Sequence, residues 1–283
     1  MNPGQSIGYL GPRGTFTEEA LEKNFSGQYQ SVRPFPTVSD ALRAAHSGSV
    51  DCAMVPIENS IEGSVNATID TLAYETELKI EREALLRVVH KLLVRPGVKT
   101  GDITMIVSHP QATAQCSLYL HREFPGIPVT AANSTAEAAL QVSRSGEPLA
   151  AIASETAALI YGLEVLDGDM EDHRGNITRF IVAGRNLPPP SGRDKTSVVC
   201  FIHENRPGSL LEILKEFAAG RINLTRIESR PTGKALGEYC FFIDFEGHLE
   251  DEPVKPVVRA LKAILRELKF LGSYPAATPL SLK

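Results

Sequence analysis

Asp172-His173-Arg174-Gly175-Asn176-Ile177-Thr178-Arg179-Phe180 delivers polar chemistry onto the start of an apolar run, Ile181-Val182-Ala183. Successive side chains of an extended segment alternate, so Thr178 and Phe180 share one face and Arg179 takes the other. A hydroxyl and an aromatic ring would then share a pocket wall. An ordinary strand opened by a turn at Gly175-Asn176 explains the same residues without a ligand. A threonine hydroxyl is too weak an acid to ionise near neutrality, so full proton donation by Thr178 would need a relay, and a directed O–H hydrogen bond is the alternative. His109 and His173 are the conventional acids beside polar motifs, although an isolated histidine near a turn is more often a hydrogen-bonded structural residue.

Two further segments place short polar side chains at element ends. Pro56-Ile57-Glu58-Asn59-Ser60-Ile61-Glu62-Gly63-Ser64-Val65 follows the buried strand Asp51–Val55, which is expected to end at Pro56. In open α/β sheets ligands bind at the carboxyl ends of strands, yet most such loops are plain connections. Ser108-His109-Pro110-Gln111 follows the strand Ile103–Val107 and opens a helix expected to continue to about Phe124, with Gln111 and Gln115 on one face. A helix start with a serine and amides suits a carboxylate, and it equally suits a solvated surface.

The elements that must position these residues alternate strand-like and helix-like as far as about residue 187, the pattern of a sheet with helices packed on it. Thr15 with Glu18 and Ser134 with Glu137 have capping-box spacing, and Ser154 opens another helix. Gly8, Gly11 and Gly14 do not follow the order of a dinucleotide site. Leu187-Pro188-Pro189-Pro190-Ser191-Gly192-Arg193-Asp194 reads as an extended linker. Beyond it come a strand at 196–202, a helix from Pro207 to about Ala219, strands at 224–229 and 239–245, and an amphipathic helix marked by Val257, Leu261, Ile264, Leu265 and Leu268. This is a βαββαβ, ferredoxin-like order.

With 283 residues the chain is long enough for two domains, and 22% charged residues with a net charge of −5 give no reason to expect a nucleic-acid partner. The most apolar long stretch, Ala150–Leu163, is interrupted by Glu155 and too short to span a bilayer, so no membrane partner is expected. The first residues lack the pattern of a secretory signal, which makes the cytosol the expected location. The four cysteines are scattered, with no metal-ligand or redox spacing. Neither a metal nor another cofactor is expected.

Asn176-Ile177-Thr178-Arg179-Phe180 resembles the threonine-arginine-phenylalanine signature of prephenate dehydratases. Val55–Asn59 and Ser108–Gln111 with Gln115 resemble further segments of that family in the right order. Arg206–Leu210 and Glu228–Pro231 resemble the two ligand-binding segments of the ACT domain of phenylalanine-regulated dehydratases, with Ser209 and Leu211 where the family commonly has alanine and valine. The resemblance covers about residues 5–275. It implies an α/β fold with a two-lobed, periplasmic-binding-protein-like catalytic domain over 1–187, its lobes formed by about 1–84 with 178–187 and by 85–177. A linker at 188–195 and an ACT domain over 196–283 would complete the chain. The implied activity is the decarboxylating dehydration of prephenate to phenylpyruvate in L-phenylalanine biosynthesis, with L-phenylalanine as feedback inhibitor.

On that resemblance Thr178 is the catalytic residue. Asn59, Ser60, Ser108, Gln111, Gln115, Arg179 and Phe180 form the substrate site, although alternation leaves open whether Arg179 faces the cleft or a structural ion pair. Pro207, Gly208, Ser209, Leu210, Asn223, Glu228, Ser229, Arg230 and Pro231 form the effector site. The expected partners are prephenate, L-phenylalanine and further copies of the chain, as a homodimer or homotetramer. The alternatives are an arogenate dehydratase, a non-catalytic two-lobed binding protein and an amino-acid-responsive regulator of transcription. The last would need a basic helix-turn-helix, which the sequence does not display.

Overall fold

A computed structural model describes residues 4–173, 175–233 and 238–280; Arg174, within the polar stretch, lies outside them. The chain opens with β1 (Ser6–Leu10), α1 (Phe16–Phe25), β2 (Ser31–Phe35), α2 (Val38–Ser47), β3 (Cys52–Asn59) and the short β4 (Gly63–Ser64). α3 (Asn66–Asp70) runs into one wide turn, Thr71–Glu75, before β5 (Lys79–Arg87). The cap of α1 is as expected in part: Thr15 Oγ1 accepts from the Glu18 N–H. The Glu18 carboxylate reaches one residue further back than a capping box requires and accepts from the Gly14 N–H at 2.5 Å.

A second group comprises β6 (Lys91–Val94), β7 (Met105–Ser108), α4 (Pro110–Gln115), α5 (Ser117–Glu123), β8 (Val129–Ala131), α6 (Thr135–Arg144), β9 (Leu149–Ala153), α7 (Glu155–Tyr161) and β10 (Glu164–Gly168). Its sheet has the order β10-β6-β9-β7-β8. The chain then returns as β11 (Ile177–Gly184), which inserts antiparallel between β3 and β5 to complete the first sheet, order β2-β1-β3-β11-β5. Two crossings, at Val88–His90 and between β10 and β11, therefore join two lobes.

Two expected boundaries move, each for a local reason. β3 continues through Pro56 to Asn59, because it carries a bulge at Ile57, opposite the step from Arg179 to Phe180 of β11, and Pro56 pairs with Phe180 beside it. The bulge breaks the ladder where proline offers no N–H. The helix expected over 110–124 breaks at Cys116, where the Asp172 carboxylate accepts from the backbone N–H groups of Leu118 and Tyr119 and so caps a new first turn. The Asp172 N–H in turn donates to the Gln115 carbonyl at 2.8 Å, which fastens the polar stretch to the end of α4.

The lobes are also latched directly. Ser154 donates its hydroxyl to the Gly14 carbonyl at 2.8 Å, and Tyr161 donates to the Arg13 carbonyl at 2.6 Å. Gly14 has φ +86° and a Cβ there would lie 3.1 Å from Ala157 Cα, so the contact needs glycine.

β12 (Asp194–Phe201), α8 (Ser209–Ala219), β13 (Leu224–Pro231), β14 (Tyr239–Glu246), α9 (Val254–Ile264) and β15 (Glu267–Pro275) give the expected βαββαβ order, with an antiparallel sheet β13-β14-β12-β15. One face of this sheet buries Val198, Ile243 and Phe245 with Ile213, Phe217 and Leu261 of the two helices. The other face buries Val199, Phe242 and Tyr274 with Ile80, Ile181 and Ala183 of the first sheet. At Gly272 a Cβ would lie 2.4 Å from the Ile80 carbonyl oxygen, so β15 and β5 approach backbone to backbone. Among the described residues no helix is long and apolar enough to cross a membrane.

Candidate active site

A cleft of about 290 Å³ lies between the lobes, closed on one side by Thr178 and Phe180 of β11 and on the other by Gln111 and Gln115 of α4. The alternation read from the sequence holds, since Thr178 and Phe180 line the cleft and Arg179 does not. Among the described residues no Asp, Glu, Lys or Arg side chain lines it. The N-termini of α1 and α6, through Thr15–Thr17 and Ser134–Thr135, form part of the wall instead. Helix starts carry partial positive charge and unpaired N–H groups, which suits an anion without adding a cation.

The polar wall is one directed chain of hydrogen bonds. Asn59 Oδ1 accepts from the backbone N–H groups of Ile61 and Glu62, at 2.9 and 3.0 Å, and this fixes which end of its amide is oxygen. Asn59 Nδ2 donates to Thr178 Oγ1 at 2.8 Å and to Asn176 Oδ1 at 2.7 Å. Asn176 Nδ2 then donates to Gln115 Oε1 at 3.0 Å, and the same oxygen lies 3.1 Å from His90 Nε2. Because Asn59 occupies a lone pair of the Thr178 oxygen, the Thr178 O–H is left as a donor. Both crossings between the lobes supply members of the chain, His90 from one and Asn176 from the other.

The remaining predicted residues divide. Gln111 lines the cleft, and its backbone N–H donates to His109 Nδ1, so His109 caps α4. Ser60 is exposed, and its hydroxyl oxygen accepts from the Ile177 N–H at 2.9 Å, bracing the loop to β11 outside the cleft wall. Ser108 is fully buried and donates to the Ile152 carbonyl at 2.8 Å. His173 is exposed. His90, Phe16 and Ser134 line the cleft without having been assigned a role from the sequence. His90 carried one signal: it is the lone polar side chain inside Val88-Val89-His90, just before an apolar strand.

Arg179 is buried and turns into a cluster between the first sheet and the C-terminal module. Its guanidinium donates to Glu83 at 2.7 Å, Asp244 at 2.6 Å and Tyr274 Oη at 2.7 Å, with Glu58 at 3.3 Å. Burial alone would lower its pKa, but the neighbouring Tyr274, Asp244 and Glu83 outweigh that and hold it well above the ordinary value. Burial likewise opposes ionisation of Asp244, and Arg179, Arg226 and Ser197 overcome it to keep that carboxyl below its usual range. The question alternation left open is settled geometrically as an ion cluster.

The predicted effector residues fall on two separated places of one chain. Pro207–Leu210 lead into α8, where Ser209 and Arg206 line a small cleft that includes no β13 residue. Asn223 precedes β13 and is exposed. On β13, Glu228 accepts from Ser64, and Arg230 bonds Asp70 at 2.7 Å and Asn66 at 2.8 Å, all three partners belonging to the first lobe. Ser229 and Pro231 are exposed on the alternate face.

Comparison with known proteins matches these regions to two family models, prephenate dehydratase over residues 7–187 and the ACT domain over residues 196–263. A prephenate dehydratase from Mycolicibacterium vanbaalenii is 43% identical over an alignment spanning 95% of this chain and 90% of the relative. The crystal structure of prephenate dehydratase from Arthrobacter aurescens in complex with L-Phe superposes with a TM-score of 0.89 at 41% identity, covering 98% of this chain and 93% of that one. GqqA, described as a novel type of quorum quenching acylase, superposes with a TM-score of 0.87 at 33% identity, covering 97% and 99%.

Proposed function

Because the chain belongs to the prephenate dehydratase family, we propose that it is a carbon–oxygen lyase converting prephenate to phenylpyruvate, water and carbon dioxide, restrained by L-phenylalanine. The observation that carries this reading is the Thr178 hydroxyl, whose oxygen accepts from Asn59 and whose proton is therefore free for a ligand in a cleft lined by no Asp, Glu, Lys or Arg.

The chemistry asked of the site is limited. The carbon–carboxylate bond of prephenate breaks, its electron pair enters the ring, and the ring hydroxyl leaves with its bonding pair and takes a proton, drawn ultimately from solvent, to become water. Aromatisation drives the reaction, so the protein must align the leaving carboxylate with the ring and assist a poor leaving group. The Thr178 O–H hydrogen bond would stabilise charge on the departing oxygen, while Gln111, Gln115 and the helix starts orient the two carboxylates. A guanidinium gripping the departing carboxylate would favour the ground state, and in this molecule the neighbouring cation, Arg179, is turned away. As a nucleophile Thr178 would lack a base, because its partner is the Asn59 amide, which cannot take its proton.

For regulation, the separation of the α8 and β13 segments favours an effector pocket shared by two copies of the C-terminal module, hence a homodimer or a dimer of dimers. The strand that would carry the effector also holds Ser64 of β4, which pairs with Glu58 and through Gly63 with Asn59. The testing experiment is a steady-state assay of the full chain on prephenate and on arogenate, each with and without L-phenylalanine. Phenylpyruvate formation suppressed by L-phenylalanine is expected. Preference for arogenate would change the substrate and keep the mechanism; tight binding without turnover of either would overturn it in favour of a binding protein.

A further inference from the structure

His90 is 3% exposed and lines the cleft, with its ring edge-on to Phe16 at 5.4 Å between centroids and 80° between planes. Its tautomer follows from the bond directions already fixed. The backbone N–H groups of Ile61 and Glu62 set Asn59, Asn59 sets Asn176, and Asn176 donates to Gln115 Oε1. An oxygen has no proton to give, so the 3.1 Å contact requires His90 Nε2 to carry the hydrogen and donate it. The opposite nitrogen, Nδ1, is buried with no hydrogen-bond partner. A buried histidine that leaves one nitrogen unused while its other N–H holds a cleft residue is placed for orientation, and an unsatisfied buried group of this kind calls for an explanation.

We propose that His90 is a positioning residue for the reaction inferred above: its Nε2–H fixes the Gln115 amide, so that the two Gln115 N–H groups are presented to a carboxylate of the substrate. The inference rests on the prephenate reading. With Oε1 held from two sides, by Asn176 and by His90, the amide cannot rotate to exchange oxygen and nitrogen. Without the His90 donor one of those restraints is gone. Gln115 would then sample orientations that turn its oxygen toward an anionic ligand. His90 touches neither Thr178 nor a reacting atom in this assignment and acts only through Gln115.

The test is a double-mutant cycle in the full-length chain, measured as kcat and KM for prephenate, with thermal unfolding midpoints as the folding control. His90→Phe keeps the ring beside Phe16 and removes the donor; it is expected to raise KM about tenfold or more with a smaller change in kcat, the mark of an interaction made in ground and transition states alike. His90→Gln, which keeps an N–H donor, should stay within about threefold of wild type. Gln115→Met should lose as much as His90→Phe, and the double variant no more than Gln115→Met alone, since coupled residues are not additive. Should His90→Phe fail to fold, His90→Met takes its place in the cycle. A wild-type KM in the donor-less variant, or losses that multiply in the double variant, overturns the proposal while leaving the dehydratase reading intact. Absence of prephenate turnover by the wild-type chain overturns both.

Discussion

Thr178 and Arg179 are neighbours on β11, and the two faces they occupy solve opposite electrostatic problems. On the Thr178 face every polar partner is neutral, each donor is assigned, and the cleft stays open between the lobes. On the Arg179 face the partners are mainly acidic side chains, and the cluster lies between two sheets: Asp244 is fully buried, and Glu83 is nearly so and also takes Lys195 at 2.9 Å. Charge is thus concentrated where no ligand reaches, and withheld where a dianion would bind. A one-residue slip of β11 would exchange the two faces, so the ion cluster also fixes the register that presents the hydroxyl.

Removing Arg179 should break this arrangement most severely. Arg179→Met leaves Asp244 buried beside Glu83 without its guanidinium, and breaking a buried pair from one side costs about 3–5 kcal/mol. Urea denaturation of the full chain should register that loss, and a change below about 1 kcal/mol would show that the cluster is not the joint described. Tyr274→Phe sharpens the comparison, because it removes the hydroxyl that bridges Arg179 and Ser197 and leaves the ring in place. A loss near 1 kcal/mol in stability with unchanged kcat is expected there. A tenfold fall in kcat would mean that the two faces are coupled.

The reciprocal experiment touches the open face. Thr178→Ala should lower kcat at least about 100-fold, equivalent to roughly 2.7 kcal/mol of transition-state stabilisation, with modest change in KM and in the denaturation midpoint. Thr178→Ser, which restores the hydroxyl, should recover most of the activity. Near-full activity of the alanine variant would remove Thr178 from the chemistry.

How far these contrasts could be read beforehand varies with the range of the interactions involved. Alternation along Thr178-Arg179-Phe180 is a property of any strand, so opposite faces followed from the sequence alone. The partners of Arg179 did not, because Glu83, Asp244 and Tyr274 are separated from it by 65–96 positions and come together only when two sheets stack. The caps at Thr15, Ser134 and Ser154 were legible, being local. The break at Cys116 was not, since the group that ends the helix, Asp172, arrives from over 50 residues away. Ser108 illustrates the converse, a hydroxyl with the right motif around it that the fold spends on the Ile152 carbonyl. His90 escaped notice because a single histidine among valines looks like core; only the meeting of the two crossings gives it a partner.

The smallest expected effect separates the faces by pH. Burial is the main influence on His90 and pushes its pKa below the ordinary 6.5, while Gln115 and Glu171 pull the other way. The unfolded chain therefore binds a proton at this position, as pH falls below about 6.5, that the folded chain resists, and stability must decline with falling pH from there until the folded imidazole protonates. Asp244 is depressed as well, but it is a carboxyl: its contribution is present above its unfolded value near 3.8 and is lost only as pH falls through the still lower folded value. Between neutrality and about pH 5, then, the Thr178 face should lose stability while the contribution of Asp244 holds. Unfolding free energies measured at pH 7.5 and 5.5 should differ less in His90→Gln than in wild type, the remaining histidines being common to both proteins. Equal slopes would mean that the folded environment of His90 does not oppose its charge, and the neutral character of that face would have to be argued without it.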